Sequence, residues 1–372
     1  MKITELKIFP VRNWVFVKIV TDDGLYGIGE ASLSGRNQAV IAALETNLKP
    51  LLLGQDATRI EYIWQDIFRG TFWRGGPVLQ SALAGIDIAL WDLNAKALGV
   101  PVYRLLGGKS RDRVLYYRHV GGNTPEELVE RSQQLLDNGV KVLRISPTDA
   151  GKGIFDASEA TRIAVRFFEA LRNGIGDEPE IIFEVHTRMT PTQAIQLCNS
   201  IEPFRPYFVE DPIRSENPAS YALLRQHTNV PIGTGEQLNH KWAFRELIEG
   251  DLVDYLRVDI CHSGGITEGK KIAVMAEVHY QELALHYTAS WISAAAMMHL
   301  NTAVPNCAVQ EFNPPGGGDF IINPPKVEDG YLIPGDEPGL GIDLDEAAAE
   351  AEPFRDGEPP HLRRADGSVN DW

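Results

Sequence analysis

The spacing of apolar residues changes character near residue 112, and that change divides the chain. Before it, the segment VFVKIVTDDGLYGIGEA (15–31) shows two strand-like apolar runs around Asp23-Gly24. Asp-Gly between such runs is a strong short-range signal for a hairpin. Two segments with helical periodicity follow, AVIAALETNLKPLLL and ALAGIDIALWDLNAKALG, the second closing on Gly99 with Pro101 just beyond. A glycine and then a proline at that position predict a helix end. Asp87 and Asp92 lie on this very apolar helix, so structural hydrogen bonds are expected of them rather than catalysis.

Beyond residue 112, short apolar runs near 114–119, 140–146, 180–185, 206–210, 231–235, 254–259, 282–286 and 307–311 alternate with helical segments. Eight strands joined by helices predict a parallel barrel. After residue 320 the chain is rich in Pro, Gly and acids, with one short helix expected at 344–351. The predicted architecture is therefore α/β: a TIM-like barrel over 112–319, an N-terminal α+β capping domain over 1–111, and a C-terminal segment, 320–372, packing back on the cap. Gly316-Gly317-Gly318 reads as a loop. GLYGIG is a poor match to a dinucleotide fingerprint and falls in the hairpin.

Composition narrows the function classes. At 372 residues the chain exceeds the usual single-core size, which agrees with a barrel plus a smaller domain. A formal net charge of −16 leaves no basic stripe for phosphates, so no nucleic-acid partner is expected. Against that field, an anionic substrate needs a local positive centre such as a metal ion. The three cysteines, Cys198, Cys261 and Cys307, have neither metal-site nor disulfide spacing, which fits a reducing cytoplasm. No apolar run reaches membrane-spanning length and the N-terminus has no signal-like apolar stretch, so no membrane partner is expected.

The chemistry stands where the barrel strands end, the face on which such barrels build their sites. The third strand ends in Glu184 and His186, the fourth in Glu210, the fifth in Glu236, the sixth in Asp259, the seventh in His286 and the eighth in Glu311. Glu184, Glu210 and Glu236 recur at equal intervals, so three adjacent strands point a carboxylate into one mouth. Such carboxylates repel one another and are costly to desolvate. A hard divalent cation resolves both problems, and all-oxygen ligation suits magnesium. His186, two residues past Glu184, is expected on the same side of an extended segment. Asp259 and His286 end neighbouring strands, where the carboxylate fixes and strengthens the imidazole base. His119, His240 and His262 carry weaker signals; His119, ending the first strand, is a candidate pocket wall.

These residues resemble the enolase superfamily nearly end to end. SALAGIDIALWDLNAKALGVPVYRLLGG looks like that family's linker into the barrel, and EDP, GTGE and DICHSGGITEGKKIA look like its fourth-, fifth- and sixth-strand motifs. Within it, FRGTFWRGGP, FEVHTRMTP, IEPFRPYFVEDP and DGSVNDW are similar to galactonate dehydratases first and mannonate dehydratases second. The resemblance implies a modified (β/α)7β barrel capped by both chain ends. It implies Mg2+ on Glu184, Glu210 and Glu236, His186 as general acid, Asp259 with His286 as the base dyad, and Glu311 at the substrate carboxylate. Many relatives form dimers or octamers, so it also implies a homo-oligomer.

The sequence departs from the family in four places, one of them Tyr287-Thr288-Ala289-Ser290-Trp291 after His286, where galactonate dehydratases have a cysteine and proline. Glu184 stands where Asp is usual, Arg144 and Ser146 stand where many relatives carry catalytic lysines, and the loop TDAGKGIFD is short and lacks a tyrosine. The expected activity is Mg-dependent dehydration of a sugar acid such as galactonate, mannonate or gluconate to a 2-keto-3-deoxy acid. A racemase or epimerase of a hydroxy acid and a catalytically inactive relative are the alternatives. Arg144, Trp73, Arg12, Trp14 and Arg74 are candidates for lining the substrate pocket.

Overall fold

A computed structural model describes residues 1–148, 153–315, 320–357 and 360–372. Residues 149–152 of the TDAGKGIFD loop, the Gly316-Gly317-Gly318 run and the boundary at residue 319 lie outside the described residues.

The chain opens with a three-stranded antiparallel sheet: β1 (Ile3–Val11), β2 (Trp14–Thr21) and β3 (Tyr26–Glu30). The hairpin expected at Asp23-Gly24 joins β2 to β3, with Gly24 at a left-handed φ of 82°. β1 is an addition to the sequence reading. It buries Ile3, Leu6, Phe9 and Val11, a spacing that does not alternate and that goes with a register shift between Ile3 and Glu5, so a linear scan for period-two apolar residues passes over it.

The helices α1 (Asn37–Ala43), α2 (Lys49–Leu52), α3 (Ile60–Arg69) and α4 (Pro77–Leu98) cover this sheet. A π-helical turn over Leu44–Leu48 links α1 to α2. α4 ends on Gly99 at φ 66°, as the glycine signal predicts. It packs so tightly on β3 that a Cβ on Gly27 would stand 2.0 Å from the Ala89 carbonyl oxygen, and one on Gly29 2.2 Å from that of Gly85. Gly27 and Gly29 of GLYGIG therefore serve backbone-to-backbone packing between strand and helix. Asp87 and Asp92 make structural hydrogen bonds: Asp87 accepts from Thr267 N at 2.9 Å, and Asp92 from Ile28 N at 2.9 Å and Leu340 N at 2.7 Å.

The described residues then form a closed parallel barrel of eight strands. These are β4 (Val114–His119), β5 (Val142–Ile145), β6 (Glu180–Glu184), β7 (Phe208–Glu210), β8 (Ile232–Thr234), β9 (Tyr255–Leu256), β10 (Glu282–Leu285) and β11 (Cys307–Glu311). Gln310 and Glu311 pair with Tyr116 and Tyr117 to close the ring. Alternation along the strands separates two cores. Tyr117, Val142, Ile182, Phe208, Ala284 and Val309 fill the interior, while residues of the opposite parity pack outward on the helices.

The C-terminal segment reaches both domains, and its strand Tyr331–Ile333 pairs antiparallel with β4 through Leu115 and Val114. Glu346, at the start of the helix Glu346–Ala351, pairs with Lys7 at 2.9 Å and Lys18 at 2.5 Å on the capping sheet. The final residues instead run to the barrel mouth, where the Trp372 ring lies 4.4 Å from that of His186. No helix of the described residues is long and apolar enough to cross a membrane.

Candidate active site

Register brings the acids together. β6 and β7 pair with Glu184 opposite Glu210, and Glu236 follows β8 in the next turn. Glu184, Glu210, Asp211 and Glu236 each offer an oxygen within 4.8 Å of the others. Their charge is partly met by two guanidiniums. Arg144, from β5, contacts Glu184 and reaches Glu210 at 3.1 Å. Arg257, just past β9, is fully buried, with Glu210 at 2.8 Å, Glu236 and Glu311 at 3.1 Å and Asp211 at 3.5 Å. It also donates to the Tyr117 hydroxyl at 2.6 Å.

The balance of burial against these cations sorts the carboxyls. Burial, then the charge of Glu210, holds Glu184 well above the ordinary carboxylate range in spite of Arg144. Burial, then Glu236, pushes Asp211 up to about 7. Burial would raise Glu236 too, but His286, Arg257 and His186 outweigh it and bring it down to about 2. Oε2 of Glu210 remains buried with no hydrogen-bond partner among the described residues.

Two imidazoles flank this centre. His286 Nε2 stands 3.7 Å from one oxygen of Glu236, and His186 Nε2 stands 3.9 Å from the other. Nδ1 of His286 meets Asp259 Oδ2 at 2.7 Å, the pair expected across neighbouring strands. Burial opposes charge on His286, yet Glu236, Glu311 and Asp259 raise it to about 10. Burial lowers His186.

The route by which His186 arrives differs from the expected one. The strand stops at Glu184, and His186 and Thr187 adopt left-handed conformations at φ 58° and 59°. The turn is stabilised by the His186 N–H donating to the Glu184 carboxylate. The ring therefore faces the acids because of a tight turn, not because of strand alternation. Asp211, beside Glu210, is also left-handed at φ 42°, but its N–H donates to the Gly233 carbonyl at 2.9 Å. Non-glycine residues persist there only when their surroundings over-determine them.

The remaining candidates fall into distinct places. Glu311 is held by Arg257 and by His119, whose Nε2 lies 2.6 Å from Oε1. Trp14 is buried, stacked on Phe16 at 6.0 Å, with its indole N–H donating to the Thr288 carbonyl at 2.9 Å. Arg12 pairs with Glu352 at 2.9 Å. Trp73 is 83% exposed and meets Phe72 edge-on at 5.1 Å, while Arg74 lies 5.9 Å from the Phe68 ring. His240 caps the helix Lys241–Glu249 by accepting from Ala243 N at 3.1 Å. His262 shares Asp259 with His286, its Nδ1 at 3.2 Å from Oδ2.

Sequence reasoning missed Arg257, Asp211 and Trp372. A charged residue inside the apolar run YLRVD was the available signal for Arg257. Nothing local in DGSVNDW signals that its final ring reaches the mouth.

Comparison with known proteins agrees with this fold. Residues 9–107 match the mandelate racemase / muconate lactonizing enzyme N-terminal domain, and residues 127–348 match the enolase C-terminal domain-like family. The chain belongs to the enolase superfamily. Among curated enolase-superfamily relatives, a D-mannonate dehydratase of Caulobacter sp. (strain K31) is 37% identical over 100% of both chains. A D-galactonate dehydratase family member of Marinomonas sp. (strain MWYL1) is 38% identical, again over 100% of both. Among solved structures, an enolase from Pantoea ananatis with bound D-gluconate and Mg superposes with a TM-score of 0.93 at 35% identity, over 100% of this chain and 99% of that one.

Proposed function

We propose that this enolase-superfamily chain is a Mg2+-dependent sugar-acid dehydratase, a hydro-lyase yielding a 2-keto-3-deoxy acid. One observation carries the reading: a buried carboxylate cluster flanked on both oxygens of Glu236 by imidazole Nε2 atoms. The names of the relatives and the gluconate in the Pantoea structure support a sugar-acid substrate.

The donor set fits a hard cation. It is entirely carboxylate oxygen, and the buried Oε2 of Glu210 lacks a partner among the described residues. Glu184, Glu210 and Glu236 would hold the ion. Bound there, Mg2+ supplies positive charge opposite the substrate carboxylate and neutralises Glu236, the main carboxylate raising His286.

His286, its Nδ1 held by Asp259, removes the C2 proton through Nε2. His186 delivers a proton to the departing C3 hydroxyl from the opposite side, and the enol then tautomerises to the keto acid. Positioned acid and base groups contribute about 10²–10⁴-fold each. Glu311, braced by Arg257 and His119, and Arg144 are assigned to substrate binding, with Trp73 on the capping loop.

The test is a library of acid sugars incubated with MgCl2, with keto acid trapped as its semicarbazone. His286→Asn and His186→Asn should each abolish product, and the His186 variant should still exchange the C2 proton with deuterium. Epimerised acid without keto product would instead establish a racemase. No turnover together with no Mg2+ binding would leave an inactive relative.

A further inference from the structure

The capping sheet holds a buried acid that the proposed chemistry does not use. Glu30, the last residue of β3, is 0% exposed. Its two oxygens accept from four donors among the described residues. The Ser32 hydroxyl donates at 2.7 Å and the Thr288 hydroxyl at 2.6 Å to Oε1, while Ser293 N at 3.0 Å and the Ser290 hydroxyl donate to Oε2. Three of these belong to the segment that follows β10, the strand leading directly into His286.

That segment needs outside support. Ala289 sits at φ 63°, a conformation that side-chain-bearing residues keep only when neighbours impose it. A second tie comes from the same sheet, where Trp14 on β2 donates to the Thr288 carbonyl at 2.9 Å. The Thr288 hydroxyl also faces the buried Cys261 thiol, two residues past Asp259. One carboxylate thus ties the segment that follows His286 to the capping sheet. An apolar side chain would fill the same space for packing, and a buried carboxylate with every oxygen engaged is a costly alternative. Its geometric precision is what it adds.

We propose that Glu30 is a positioning residue: it fixes the His286–Ser290 segment on the cap so that the imidazole faces Glu236 with its Nδ1 on Asp259. This rests on the dehydratase reading for its kinetic consequence but not for its geometry. In Glu30→Gln the NH2 group stands either against the Ser293 N–H on the Oε2 side or against the Ser32 and Thr288 hydroxyls on the Oε1 side, which must then turn to accept, so in neither orientation is the present set of four donors kept. A misplacement on the order of 1 Å at a reacting group costs about 10²-fold in rate.

The experiment compares full-length wild type, Glu30→Gln, Glu30→Asp and Asp92→Asn, the last removing another buried acid of the capping layer whose hydrogen bonds go to Ile28, Leu340 and Lys96 and not to the His286–Ser290 segment. Readouts are kcat and KM on whichever acid sugar wild type dehydrates, the melting temperature, and the low-field proton resonance of the His286–Asp259 bond, assigned by its loss in His286→Asn. Glu30→Gln should lower kcat about 10²-fold at nearly constant KM and shift or broaden the resonance, with partial recovery in Glu30→Asp. Asp92→Asn should lower the melting temperature while leaving kcat and the resonance intact. If Glu30→Gln melts lower but keeps both kcat and the resonance, Glu30 is only structural and the proposal fails. If wild type dehydrates no acid sugar, the functional reading fails, and the resonance alone decides the positioning role.

Discussion

Arg257→Met removes the cation at the centre of the acid cluster while keeping most of the side chain's length. The guanidinium is fully buried and lies within 3.5 Å of Glu210, Asp211, Glu236 and Glu311. Deleting one partner of a buried pair costs about 3–5 kcal/mol, because the charge left behind is uncompensated. The Tyr117 hydroxyl loses its buried partner as well. For a chain of this size each kcal/mol corresponds to about 2 °C, so the metal-free variant should melt roughly 6–10 °C below wild type. A cation on Glu184, Glu210 and Glu236 supplies replacement positive charge, so saturating MgCl2 should recover at least half of the deficit. Calorimetry at neutral pH in EDTA and then in MgCl2 measures both quantities. Equal melting of variant and wild type in EDTA would refute the electrostatic account of the cluster. A deficit untouched by Mg2+ would refute its reading as a metal site.

Two further outcomes follow from buried groups away from the mouth. His299 is 1% exposed and burial lowers it to about 4, against about 6.5 when unfolded. The depressed value means the unfolded chain takes the proton first, so stability is complete above pH ~6.5. It should fall by about 3 kcal/mol as pH drops toward 4. Denaturant titrations across that window should show His299→Asn with a flatter profile, and parallel losses in both proteins would contradict the assignment. In the cap, Gly29→Ala places a Cβ 2.2 Å from the Gly85 carbonyl oxygen and 2.8 Å from Ala89 N, both backbone atoms of α4. Overpacking of this kind costs about 1–3 kcal/mol, measurable as a lower denaturation midpoint. Gly121→Ala, with nothing within 4 Å of its built Cβ, should leave the midpoint unchanged.

The barrel was legible because its signals are local. Each strand is a short apolar run, and each run ends on a polar residue whose position follows from the strand's own length. Glu184, Glu210, Asp259, His286 and Glu311 were found that way, and β6–β7 register then set Glu184 beside Glu210 as expected. β1 was missed because its buried residues are spaced by three as well as two, with a register shift between Ile3 and Glu5, and give no period-two signal.

The chain by itself determined that Glu184, Glu210, Glu236, Asp259, His286 and Glu311 stand at strand ends, since those ends are set by neighbours in sequence, whereas Asp211 joined the cluster only in the folded structure. Only the tertiary structure decided how their charges balance and what holds them still. Arg257 lies under four acids, Glu30 of the cap binds a segment that follows His286, and Trp372 lies against His186. Those contacts join residues far apart in sequence, and burial, which sets their strength, exists only once the layers have closed.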